Sequence, residues 1–80
     1  MSLLLENVRK ARRLPSPAMR KAIRREAGVS QTRMAAELRV DRVTVARWES
    51  EGPDARTPRG ELLDRYADLL TGLHAEVMAS

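Results

Sequence analysis

Apolar residues in this chain recur at three- and four-residue intervals, the spacing that puts them on one side of an α-helix. Prolines, glycines and short polar residues break the pattern into segments. In the first, residues 3–14, Leu4, Leu5, Val8 and Ala11 share a stripe, while Arg9, Lys10, Arg12 and Arg13 lie mostly off it, and Ser2 is a candidate cap. Pro15 and Pro17 interrupt that run, because the residue before a proline disfavours helical geometry. A second helix is predicted over about 17–27. Ser16 suits its N-cap, and Pro17 suits the first position, where its missing N–H costs nothing. Met19 and Ile23 are expected to face the core, flanked by Ala22 and Ala27. Gly28 is suited to the left-handed turn that ends the helix, with Val29 folding back as an apolar plug.

Ser30 opens a third predicted helix over 31–38, with Met34, Ala35 and Leu38 as its inner face. Small Ala35 lets another helix cross closely. Arg39 and Val40 make a short turn, with Val40 expected inside. Asp41 is placed to cap a fourth helix over about 42–50. There Val45 and Trp48 face inward, leaving Arg42, Val43, Ala46 and Arg47 outside. An exposed β-branched Val43 gives up helix propensity for no packing return, which marks a ligand surface or contact with a neighbouring helix. Residues 51–57 read as a loop. Thr57-Pro58 repeats the cap-and-proline signal and predicts a fifth helix over about 58–71, carrying Leu62, Leu63, Tyr66, Leu69 and Leu70 on a wide apolar face and ending at Gly72. The expected fold class is all-α, a compact bundle of about five short helices.

Composition narrows the chemistry. Eighty residues suffice for one domain with a modest core, and the single Trp and Tyr with no Phe suit short helices packed closely. The absence of cysteine excludes disulfides and thiolate zinc sites. His74 stands alone near the C-terminus and reads as a tail residue, so no metal site is expected. The acids are scattered, the serines lack a neighbouring base and no glycine-rich phosphate loop is present, so the sequence predicts neither an enzyme nor a cofactor. No apolar run approaches the roughly 20 residues of a membrane span. Met1–Leu5 is too short for a signal peptide and precedes the positive charges, so a cytoplasmic location is expected.

Charge is distributed unevenly. Residues 1–50 hold 12 basic and 5 acidic side chains, whereas residues 51–80 hold 3 and 6. A basic front and an acidic rear can orient the molecule against a polyanion, although such charge also serves solubility.

The sharpest signal is the span 28–49, where two short helices meet through a tight turn and the second stands out as a ridge. An α-helix fits the major groove of B-DNA, in which each base pair shows its own donor and acceptor pattern. Arg42 or Arg47 can donate two hydrogen bonds to guanine O6 and N7, Val43 can pack on a thymine methyl, and Gln31 and Thr44 can reach phosphates.

Gly28-Val29-Ser30-Gln31, Met34-Ala35, Leu38, Val40, Val45 and Arg47-Trp48-Glu49 resemble the helix-turn-helix domains of phage repressors, Cro proteins and their bacterial relatives, the Cro/C1-type family, over about residues 17–71. The resemblance implies a lambda-repressor-like domain that binds double-stranded operator DNA without metal or cofactor, usually as a two-fold dimer, in a bacterial or phage-encoded protein. It implies base reading by Arg42, Val43 and Arg47, backbone or supporting contacts by Gln31, Arg33, Arg39 and Thr44, and a pairing of Glu49 with Arg24 that orients the second motif helix. Gln31 would contact phosphate and can also orient an outward residue of the next helix. Ala35, Val40, Val45 and Trp48 are its structural positions.

The chain also departs from the family. Arg39 replaces the usual glycine or small residue of the turn, predicting strain or a different turn. Arg33 removes the reciprocal capping box. The loop after Glu49 is slightly extended. Residues 1–16 form an additional basic helix or arm that can cross a DNA backbone, enter the minor groove or cover the domain, with Arg9, Lys10, Arg12 and Arg13 as candidate phosphate contacts. Residues 72–80 read as a short C-terminal extension.

The leading expectation is a sequence-specific, repressor-like transcriptional regulator. The alternatives are an antitoxin or regulatory adaptor that uses the fold to bind a protein partner, and an architectural recombination accessory factor. A homodimer on a near-palindromic operator and a protein co-regulator are candidate partners. Leu69, Leu70, Leu73 and Val77, or Leu4, Leu5 and Val8, are candidate subunit contacts, with intramolecular core as the preferred reading.

Overall fold

Capping chemistry and apolar spacing set most of the helix boundaries. The computed structural model describes residues 14–79; the expectations for residues 1–13, including the Leu4, Leu5 and Val8 stripe and the basic residues Arg9, Lys10, Arg12 and Arg13, lie outside them. Helix α1 is Pro17–Glu26. Ser16 Oγ accepts the Met19 N–H at 3.2 Å, and Pro17 occupies the first turn as predicted. At the other end Gly28 takes φ +72°, and the N–H groups of Gly28 and Val29 donate to the carbonyls of Arg25 and Arg24 at 3.0 and 3.1 Å. This pair of bonds satisfies the last carbonyls of the helix and turns half-buried Val29 back onto the core.

The inward face of α1 is rotated from the expected one. Ile23 is buried, but its buried neighbours are Arg20 and Arg24, while Met19 remains 50% exposed. Ala22 is exposed and Ala27 half-buried. Met19 lines a shallow groove with Ile23, His74, Val77 and Met78 instead of entering the core.

Helix α2 is Gln31–Leu38, the predicted span. Ser30 Oγ accepts the Arg33 N–H at 3.0 Å, and Met34, Ala35 and Leu38 are buried. Arg39 ends the helix in left-handed geometry at φ 58° and ψ 45°. The N–H groups of Arg39 and Val40 donate to the Ala36 and Ala35 carbonyls at 3.2 and 3.0 Å, the same bond pattern that closes α1 at Gly28. The turn is thus kept without glycine, at a cost of about 1–2 kcal/mol for a residue carrying a Cβ. From the last helix of the chain, Arg65 Nη2 donates to the Glu37 carbonyl at 3.2 Å, where the helix end carries partial negative charge. Val40 is half-buried against the core.

Helix α3, Arg42–Trp48, ends two residues before its predicted limit. Asp41 holds the N-cap position without the expected side-chain hydrogen bond; its carbonyl accepts the N–H groups of Thr44 and Val45 at 3.0 and 3.3 Å. Seven residues are too few for a helix to persist on its own, so α3 depends on its buried anchors. In the loop that follows, the Arg56 N–H donates to the Arg47 carbonyl at 3.1 Å, tying the loop to the end of α3.

Helix α4, Gly60–Ala79, begins two residues later than predicted and does not stop at Gly72. Pro58 is buried ahead of it, and Gly60 takes φ +59°. Leu70, Leu73 and Val77 continue the helical spacing across Gly72. A glycine inside a helix costs about 1 kcal/mol relative to alanine, which contacts on either side offset here. The expected separate extension over 72–80 is therefore, through Ala79, the last part of one helix. Leu63, Tyr66, Ala67 and Leu70 are buried, and Leu62, Leu69 and Leu73 pack half-buried beside them.

The result is an all-α fold with four helices among the described residues, where the sequence predicts about five in the whole chain. Ile23, Met34, Ala35, Leu38, Val45, Trp48, Tyr66 and Leu70 form one core cluster shared by all four. Leu70 belongs to it, and Leu69 and Leu73 pack against it, so their apolar surface is largely used within the chain. Among the described residues no helix is long and apolar enough to cross a membrane.

Candidate nucleic-acid interface

At 100° per residue, Val45 and Trp48 fall on one side of α3, while Arg42, Ala46, Val43 and Arg47 occupy an opposing arc of roughly 140°. The structure follows this division. Val45 and Trp48 are buried, Arg42 and Arg47 are exposed, and Val43 is 47% exposed. Trp48 lies against Tyr66 of α4, with ring centroids 4.7 Å apart and planes inclined at 41°. One face of α3 is thus clamped to the core while two arginines and an apolar side chain face outward.

A chain of polar contacts runs from the core to that surface. Arg24 of α1 grips the Glu49 carboxylate with both sides of its guanidinium: Nε to Oε2 at 2.6 Å and Nη2 to Oε1 at 2.9 Å. Its Nη1 donates to the Val29 carbonyl at 2.8 Å. Both residues are buried. The hydrogen bonds from Arg24 to Glu49 hold the guanidinium pKa above its usual value, outweighing desolvation. Gln31, at the start of α2, donates from Nε2 to Glu49 Oε1 at 3.1 Å, and its Oε1 accepts from Arg42 Nη1, also at 3.1 Å. Arg24, Glu49, Gln31 and Arg42 therefore form one hydrogen-bonded line through three helices and the residue that closes α3.

Sequence reasoning missed Arg20. One turn before Arg24, it is buried and donates from Nη1 to the Trp48 carbonyl at 2.9 Å and from Nε to the Pro15 carbonyl at 2.8 Å. A cation at the C-terminal end of α3 opposes the partial negative charge there. Burial lowers the Arg20 pKa from its ordinary high value. The available signal was the four-residue spacing of Arg20 and Arg24 on either side of Ile23, which puts both arginines on the stripe that enters the core.

The remaining candidates are spread out. Thr44 is half-buried and Arg39 is exposed at the turn. Exposed Arg33 lines a groove of about 370 Å³ between the α1–α2 turn and α4, with Gly28, Met34, Glu37, Leu69 and Leu73; no α3 residue borders it. Among the described residues, no group of three or more His, Cys, Asp and Glu side chains could hold a metal ion.

Tyr66 packs beneath α3 against Trp48, with its hydroxyl buried and without a hydrogen-bond partner among the described residues. Burial pushes its pKa up to about 12. The folded state then retains a proton that the unfolded chain releases near pH 10. Stability is fully present below pH 10 and falls as pH rises toward 12, by about 2–3 kcal/mol at the end of that window. Tyr66→Phe should remove this part of the alkaline loss and leave stability near pH 7 unchanged or higher, because no buried hydroxyl remains unpaired. Urea unfolding of both proteins between pH 8 and 12 checks the difference, which must widen with pH.

Two short helices joined by a tight turn, the second anchored inside and charged outside, define a helix-turn-helix domain. A family model described as Helix-turn-helix (HTH_3) matches residues 21–73, and the chain belongs to that family. Membership points to a DNA-binding regulatory role. No curated protein and no solved structure matched the chain.

Proposed function

We propose that this protein is a sequence-specific, double-stranded DNA-binding transcriptional regulator of the repressor-like, Cro/C1-type kind, which lays α3 in the major groove. The observation that carries the reading is the exposure of Arg42, Val43 and Arg47 on a helix whose opposite face is buried at Val45 and Trp48. Two guanidiniums can each face guanine O6 and N7, and Val43 can exclude water from a thymine methyl. Thr44 and Arg39 are the proposed backbone contacts. A seven-residue reading helix spans few base pairs, so two copies on a near-palindromic operator are part of the proposal. Binding alone, without catalysis, accounts for such a surface.

Selection of binding sites from random duplex DNA by the purified protein, followed by titration at two salt concentrations, tests the reading. A short preferred motif is expected. Arg42→Ala and Arg47→Ala should each erase preference at a different base pair, with a loss of about 1–3 kcal/mol of discrimination apiece. A folded wild-type protein with no sequence preference would overturn the proposal.

A further inference from the structure

We infer that the shallow groove between α1 and the end of α4 is the docking site for residues 4–11 of the same chain, through Leu4, Leu5, Val8 and Ala11. The inference is independent of what α3 binds.

The groove has a volume of about 210 Å³ and runs between Met19, Ala22, Ile23 and Glu26 of α1 and Val77 and Met78 of α4. The four α1 residues stand at i, i+3, i+4 and i+7, which makes one stripe about 10 Å long. Helix α1 therefore has two working sides. Arg20, Ile23 and Arg24 enter the core, while Met19 and Ala22 stay outside it on the groove. Met19 is 50% exposed and Met78 72% exposed, so the described residues leave two large apolar side chains of one groove in water. Covering them would be favourable by the ordinary gain from removing apolar surface from water.

Reach, spacing and size select the occupant. The described chain begins at Leu14, half-buried against the core, and α1 starts at Pro17, so residues 4–11 are tethered beside the turn of α1 that carries Met19. A link this short favours an antiparallel path along α1. On that path Val8 comes about level with Ile23, and Leu4 and Leu5 with the far end of α1. In helical geometry Leu4, Leu5, Val8 and Ala11 span i to i+7, again about 10 Å, which matches the groove. Each side of a stable interface between separate chains takes roughly 20–30 residues, and only seven described residues border this groove. A tethered segment escapes that requirement, because its effective concentration is of order millimolar. Two apolar sets that spacing alone offers as subunit contacts, Leu4-Leu5-Val8 and Val77, then cover each other within one chain. Arg9, Lys10, Arg12 and Arg13, mostly off the stripe, keep their charges in solvent.

Amide hydrogen exchange of the full chain tests the inference. In the wild type, residues 4–11 should exchange about ten- to a hundredfold more slowly than in a free peptide of the same sequence. That protection should hold steady over about a hundredfold range of protein concentration, as a contact within one chain requires. Met19→Asp puts a charge in the groove at an exposed position in the first turn of α1, where an acid suits the helix end, so the variant should fold. It should abolish the protection of residues 4–11 and leave that of α2 and α3 intact. Leu5→Asp combined with Val8→Asp should do the same from the other side of the contact. In that variant peroxide should oxidise Met19 about threefold faster than in the wild type, with buried Met34 unchanged. Wild-type residues 4–11 that exchange as fast as the free peptide would overturn the inference. So would protection that survives Met19→Asp, which puts the segment elsewhere, or protection that grows with concentration, which makes a second copy the occupant.

Discussion

Glu49→Ala should lower unfolding free energy by about 3–5 kcal/mol, far more than the 0–1 kcal/mol of an exposed pair. The cost comes from the partner left behind. Arg24 is 7% exposed, and without the carboxylate it would retain only the Val29 carbonyl for a buried cation. For a domain of this size, total stability is of order 4–12 kcal/mol, so the variant should approach the limit of folding. A fall in melting temperature of about 15–30 °C is the corresponding expectation. Replacing both partners with apolar residues, as in Arg24→Met with Glu49→Leu, should recover much of the stability because no charge is stranded. Thermal and urea unfolding of the single and double variants distinguishes the cases; a loss below 1 kcal/mol for Glu49→Ala would show that the pair is effectively solvated.

Trp48→Ala should be comparably damaging, at about 3–5 kcal/mol. It removes the largest anchor of a seven-residue helix, opens a cavity in the common cluster, and abolishes the ring contact with Tyr66 at 4.7 Å. The functional consequence is separable from global stability. Because α3 is held by its anchors, preference at the Arg42 and Arg47 base positions should disappear together, even at temperatures where circular dichroism shows the other helices formed. Trp48→Phe, which keeps an aromatic side chain against Tyr66, should retain most of both properties. Retention of base preference in folded Trp48→Ala would show that α3 needs no anchor from that residue.

Particular residues show what the sequence makes legible. The limits of α2 can be read directly because Ser30 caps its start and the apolar positions Met34, Ala35 and Leu38 lie on one stripe. Val45 and Trp48 likewise define the inward side of α3. Periodicity treats every charged residue as polar, however, and therefore points Met19 inward, whereas the buried stripe includes Arg20 and Arg24 with their long aliphatic stems. Gly72 resembles a stop signal in isolation; the leucines and valine around it carry α4 through. Asp41 shows that a residue type suited to capping need not form the cap bond when its carbonyl supplies the first turn.

At the site, the pairing of Arg24 with Glu49 follows from family resemblance, and the outward direction of Arg42, Val43 and Arg47 from helical spacing. The contact between Gln31 and Glu49 joins residues 18 positions apart, and depends on how two helices approach each other. No local pattern encodes that distance. Arg20 reaches a backbone carbonyl 28 positions away, which leaves no mark on residue identity at the receiving end.

The two buried arginines of α1 both grasp the same end of α3: Arg20 holds the Trp48 carbonyl and Arg24 the Glu49 side chain, while Arg56 bonds the Arg47 carbonyl from the loop. The opposite end has no side-chain cap and is steadied by the Gln31 clip on Arg42. The helix is thus mounted like a lever with its fulcrum at Trp48. If α3 reads a duplex as proposed, small adjustments to imperfect sites should fall mainly on Arg42, while Arg47 keeps its place.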